Sequence, residues 1–205
     1  MLSAQAIAEL QDRATAAWHR SDAPDAAHPP QNAWLTTVEQ QHRANFELWH
    51  IEDEARTPGA TDARLADVKR RIDRTNQRRN DLAEELDRLL LDWLAARALP
   101  NLQAELHSES PGLMIDRLSI LALKIFHTRE EAARLDAPAG HAERNRERLE
   151  ILVGQRADLA GCLDAVWRQS LDGTRRFKLY PQLKMYNDPL LNPAIYRRSP
   201  AQTGD

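Results

Sequence analysis

The chain has 205 residues, of which 42% are hydrophobic and 29% charged, and carries a net charge of −3. That length and balance suit one substantial core and exclude a disordered chain. The negative balance offers nucleic acid no cationic field to follow, so no nucleic-acid partner is expected.

The first twenty residues, MLSAQAIAELQDRATAAWHR, contain an acid at Glu9 and no apolar core of the signal-peptide kind. Leu2, Ile7 and Leu10 begin a short helix, which SDAPDAAHPP (21–30) ends through Pro24, Pro29 and Pro30. Trp34, Leu35, Val38, Leu48 and Ile51 mark a second helix, closed by the Pro-Gly turn of RTPGAT (56–61). Asp62 could cap the third, along which Leu65, Val68, Ile72, Leu82, Leu86, Leu89, Leu90 and Trp93 recur mostly at steps of three and four. In HSESPG (107–112), Ser110 fits an N-cap and Pro111 a first helical turn.

The fourth helix follows, striped by Met114, Leu118, Leu121 and Ile125. Its most apolar stretch, SILALKIF (119–126), is far too short to span a bilayer and is broken by Lys124. After DAPAGH (136–141), Leu149, Leu152, Leu159, Leu163 and Val166 stripe a fifth helix. Cys162 there has no disulfide partner and reads as a small core residue. No run of alternating Val, Ile and Thr bounded by hairpin turns appears.

The tail FKLYPQLKMYNDPLLNPAIYRRSP (177–200) holds four prolines, all three tyrosines, Lys178, Lys184, Arg197 and Arg198. It is too proline-rich for a long helix and too apolar for a simple loose end, so it is expected to drape over the bundle as a strap. The expected architecture is all-α: an antiparallel bundle of four to six long helices with a partly irregular C-terminal strap. One domain over 1–205 would comprise an N-terminal helix and linker (1–30), the bundle (31–173) and the strap (174–205). The expected compartment is the cytoplasm, with no membrane span; long exposed helix edges are compatible with a homodimer.

Residues 45–56, NFELWHIEDEAR, break the hydrophobic rule. At about 100° per residue, Trp34, Val38, Trp49, Glu52 and Arg56 all fall within about 40° of Asn45. In the third helix Asn76 and Arg79 fall on the side of Leu65, Ile72, Ala83 and Leu90. In the fifth, Arg156 lies within about 60° of Leu152, Leu159 and Leu163. Charges placed so must be paired or wet, and Glu52, Asp53, Asp87 and Asp116 are the counter-charges at hand. The fourth helix brings Asp116, Lys124 and His127 to one side, a pattern that also fits the solvated face of an amphipathic helix.

Arginine's planar fork suits carboxylate and phosphate, and Trp49 could stack on a base or a sugar ring. Metal chemistry has less support. Glu39–His42 and Glu47–His50 each give the Glu-x-x-His spacing of di-iron bundles, but on a single helix, about 12 Å apart along its axis, where that chemistry needs two. A mixed site of Glu52, Asp53 and His127 is geometrically open, but no spacing supports it. No metal ligand is therefore assigned, and no cofactor. Gly-rich phosphate loops, G-x-S-x-G elbows and H-E-x-x-H motifs are absent.

The segments NFELWHIEDEAR (45–56), VKRRIDRTNQRRNDLAEELD (68–87), ESPGLMIDRLSILALKIFH (109–127), QRADLAGCLD (155–164) and KMYNDPLLNP (184–193) together resemble a bacterial family known as domain of unknown function four-two-five-four. The resemblance rests on the Asn, Leu-Trp and Glu-Asp of the first block, and on Asn76, Arg79, Asn80 and Asp81 in the second. In the third it rests on Pro-Gly, then Asp116, Arg117, Lys124 and His127; Leu113 departs from the small polar residue of the family pattern. The resemblance implies a setting among sugar-transfer and cell-surface polysaccharide genes, hence glycan or nucleotide-sugar metabolism, without a defined reaction.

The expected function is an internal polar site that binds, or binds and turns over, a phosphorylated or sugar-containing ligand. Asn45, Trp49, Asp53, Arg56, Asn76, Arg79, Arg117, Lys124 and Arg156 would bind it. Glu52 or Asp116 would serve as base, with His127 as acid or orienter. The rival is a non-catalytic protein that docks a sugar-transfer enzyme, its polar network serving only the fold.

Overall fold

A computed structural model describes residues 2–20, 33–183 and 190–193. The described residues form five helices: α1 (Ala4–Trp18), α2 (Ala33–Ala55), α3 (Asp62–Ala95), α4 (Pro111–Ala133) and α5 (His141–Leu171). Two two-residue strands, β1 (Glu105–Leu106) and β2 (Arg175–Arg176), pair in parallel. The protein is all-α in class. The α2–α3 and α4–α5 pairs are joined by short connections and packed along one another, so each is an antiparallel hairpin.

α4 is the central element: it touches each of the other four helices. That explains its composition, since a helix with neighbours on most of its sides must be apolar over most of its circumference. Met114, Ile115, Leu118, Ala122, Leu123 and Ile125 are all buried. The expectation of a solvated face carrying Asp116, Lys124 and His127 is corrected accordingly: Asp116 is buried and His127 half-buried, and Lys124 alone is exposed.

The entry to α4 is fixed from α3. Ser110 is the N-cap and Pro111 opens the helix, as expected from HSESPG. The capping carboxylate, however, comes from Asp87, which accepts the Gly112 N–H at 2.7 Å and the Ser110 hydroxyl. Asp87 thus serves the N-terminus of α4 rather than neutralising an arginine. Thr61, not Asp62, caps α3, accepting from Arg64 N at 3.3 Å.

Other departures are local. The first turns of α3 lie beside the end of α2, where Arg64 and Arg71 pair with Glu54, and Leu65 there is exposed rather than core. Cys162 is exposed on α5 and not a core residue. The strap enters the core at once: Phe177 is buried among α-helical side chains, and Gln182 N donates to Glu84 on α3 at 2.8 Å. The linker prolines, Lys184, Arg197 and Arg198 lie outside the described residues. Among the described residues no helix is long and apolar enough to cross a membrane.

Candidate functional site

One face of α2 ends in a cleft of about 350 Å³, closed on its far side by α3 and α4. Asn45, Leu48, Trp49, Glu52 and Asp53 line it from α2 and Arg56 from the turn just past its end, at steps of three and four, which put them on one stripe. Arg79 reaches in from α3, and Ile120 and Leu123 from α4 supply an apolar floor. The polar turn at the end of the α2 stripe is therefore a wall of a concave space. Arg56 donates to its neighbour Glu52 at 3.0 Å, and this pair is largely exposed, at the rim, rather than on a buried face.

Behind the cleft lies a buried polar network. Asp116 Oδ1 accepts from Gln41 at 2.5 Å and from Asn45 at 2.9 Å. Arg79 Nε stands 3.2 Å from the same oxygen, close enough for charge attraction, although its N–H is not aligned for a hydrogen bond. Burial pushes the Asp116 carboxyl upward, against the opposing pull of Arg79, Asn45 and Gln41. Asn45 also donates to Ser119 Oγ at 2.9 Å, and Ser119 Oγ lies 2.7 Å from His42 Nδ1.

The direction of that chain can be worked out. Thr15 Oγ1 donates to Gln11 O, so it can only accept from His42 Nε2, 2.8 Å away. His42 Nε2 therefore carries the proton, and Nδ1 accepts from Ser119. The ring is satisfied as a neutral imidazole, and burial holds its pKa down at about 4. His42 is thus a link in the core joining α1, α2 and α4, and not a metal ligand of a Glu39–His42 pair.

His127 stands apart from the cleft, on the other side of Trp49. The two rings stack at 4.7 Å and 12°. Beyond it, His19 at the end of α1 and His50 on α2 complete a cluster whose ligand atoms all lie within 4.8 Å of one another. These three could hold a metal ion. Sequence reasoning noticed His50 only in the Glu47–His50 spacing and passed over His19; the signal was three histidines on three helices, which no spacing within one helix can show.

Several expected ligand residues are elsewhere. Arg117 pairs with Glu109 at 2.7 Å and, with Lys124, lines a separate groove of about 680 Å³ between α4 and α5. Arg156 binds Asp12 of α1 at 2.6 Å, a part-buried tie between α1 and α5. Asn76 is half-buried on α3 and is not among the residues lining the cleft. The arginines of three helices therefore do not share one site: Arg56 and Arg79 converge, and Arg156 does not.

Residues 35–179 match the family described as Protein of unknown function (DUF4254). The chain belongs to that family. The matched segment contains every residue lining the cleft, along with His50 and His127, and leaves His19 outside. No curated protein and no solved structure matches the chain.

Proposed function

We propose that the α2–α3–α4 cleft binds a small phosphorylated or sugar-containing ligand in bacterial cell-surface glycan metabolism, in the cytoplasm. The observation that carries this reading is the convergence of Trp49, Glu52, Asp53, Arg56 and Arg79 around one cleft of about 350 Å³. An aromatic face, two carboxylates and two guanidinium groups match a ring with hydroxyls and an attached anion. The glycan setting rests on the family resemblance and the ligand class on the cleft. Glu52 and Asp53 are the carboxylates placed to act on a bound molecule. Asp116 supports Arg79 from behind, and His127 is screened by Trp49.

A second reading is favoured by the pairing of the guanidiniums: Arg56 already has Glu52 and Arg79 has Asp116. On that reading the polar residues serve only the fold, and the protein docks a sugar-transfer enzyme.

Thermal unfolding in the presence of nucleotide sugars and sugar phosphates separates the two. A ligand at a hundred times its Kd stabilises the native state by about 2.7 kcal/mol. The gain should shrink in Arg56→Ala, whose exposed side chain can be removed without disturbing the core, and vanish in Arg79→Ala. No shift with any such compound, together with co-purification of a sugar-transfer enzyme, selects the docking reading.

A further inference from the structure

We propose that His19, His50 and His127 bind one divalent transition-metal ion of the zinc class, with three imidazole nitrogens as ligands and a fourth position open to solvent or an anion. The site stands on its own geometry and does not depend on what the cleft binds. Its three ligands come from α1, α2 and α4, and their ring centroids lie 5.3 Å (His19–His50), 5.0 Å (His19–His127) and 6.0 Å (His50–His127) apart.

The hydrogen bonds of two of the rings assign their lone pairs. His19 Nδ1 lies 2.8 Å from Thr15 O, and a carbonyl oxygen can only accept, so Nδ1 carries the proton. His127 Nδ1 lies 3.0 Å from a Glu130 carboxylate oxygen, which by the same logic fixes the proton there. Each ring is left with a bare Nε2 lone pair, and both Nε2 atoms are buried without a hydrogen-bond partner. Two buried acceptors left without a donor in one compact cluster are costly unless something electrophilic satisfies them. A backbone carbonyl and a carboxylate behind ligating histidines are also the usual outer partners that fix tautomer and raise basicity.

His50 supplies the third nitrogen. It is half-buried on α2, and its ring meets those of His19 and His127 edge-on at 63° and 83°. Asp53 favours positive charge at His50, whereas Arg43 opposes it; Arg43 is drawn over the Trp18 and Phe46 rings. Phe46, Phe126 and Trp49 wrap the cluster at ring distances of 4.5 Å (Phe46–His50), 4.3 Å (Phe126–His19) and 4.7 Å (Trp49–His127), giving it a largely apolar surround. Three nitrogens on a tetrahedral zinc stand about 3.3 Å apart, so a cluster spanning up to 4.8 Å closes by small χ rotations. Imidazole-only donors exclude magnesium and calcium and suit zinc, copper or nickel. Three protein ligands leave a position free, as catalytic rather than structural zinc sites do.

The test is metal titration of the tag-free full-length protein after chelator treatment, using Zn²⁺ alone as the probe and a chromophoric chelator in competition. One equivalent should bind and raise Tm. His50→Ala and His19→Ala, each verified as folded by circular dichroism, should weaken binding by more than about a hundredfold. Glu130→Gln should weaken it by about tenfold to a hundredfold, as loss of an outer partner does. His107→Ala, in the groove between α4 and α5, should leave it unchanged. The absence of stoichiometric binding, or equal binding in His19→Ala, His50→Ala and the unmodified chain, overturns the proposal.

Discussion

Asp87 on α3 accepts the backbone N–H of Gly112 on α4 at 2.7 Å, and the two helices meet there with no room for a side chain. A Cβ on Gly112 would lie 2.2 Å from the Ala83 carbonyl oxygen and 2.9 Å from the Asp87 carboxylate. The first obstacle is backbone and cannot swing aside. Gly112→Ala should therefore destabilise the protein by about 3 kcal/mol through forced separation of α3 and α4. Chemical denaturation would measure it; a stabilised variant, as helix propensity alone would give, contradicts the close approach.

The same carboxylate carries a pH signature. Burial outweighs the bonds from Ser110 and Gly112 and pushes the Asp87 pKa up to about 6. Between the unfolded value of 3.8 and about 6 the native state holds a proton that the unfolded chain has lost, so this group's contribution falls as pH rises. The difference amounts to about 3 kcal/mol across the window. Asp87→Asn keeps an acceptor for Gly112 and removes the titration. Relative to Asp87→Asn, the native chain should lose stability between pH 4 and 6 and change little above pH 7.

His42 works in the opposite direction. Its folded pKa of about 4, against 6.5 in the unfolded chain, means that the unfolded state binds the extra proton as pH falls from 6.5 to 4. The stability present above pH 6.5 is lost over that interval, again by about 3 kcal/mol. The two linkages nearly cancel in the native chain, so its stability should be rather flat from pH 4 to 6.5. In Asp87→Asn the histidine is left unopposed and acid lability should appear. NMR titration of the His42 ring checks the cause directly: it should remain neutral at pH 5.

Helical phase made much of this legible, and its failures are informative. The 3.6-residue period gave five helices and put Asn45, Trp49, Glu52 and Arg56 on one stripe, which the cleft bears out as a shared face. Phase says nothing about what stands opposite. Arg56 and Asn45 share a direction, yet one is at an exposed rim and the other is buried against Asp116. Arg156 has an apolar-edge phase because α1 covers it, and its partner Asp12 lies far away in sequence. The histidine cluster depends on the packing of α1, α2 and α4 together, which no single helix records. The centrality of α4 shows in SILALKIF as unusual hydrophobicity, too short for a bilayer, but the sequence does not say which helices surround it.

Arg79 and Asp116 decide how far the cleft can be altered without harming the fold. The Asp116 carboxyl is buried and the Arg79 side chain only a quarter exposed, so removing the guanidinium leaves a buried carboxylate held by two amides alone. Arg79→Ala should cost about 3 kcal/mol, mostly from that stranded charge. Asp116→Asn removes the charge while keeping an acceptor for Gln41 or Asn45. Arg79→Ala added to Asp116→Asn should therefore cost much less than Arg79→Ala alone, with a coupling of about 1–3 kcal/mol in a double-mutant cycle by urea denaturation. Strict additivity would mean that the 3.2 Å approach carries no energy. The double variant then becomes the cleaner probe of ligand binding, since it lacks the Arg79 cation in a core that remains intact.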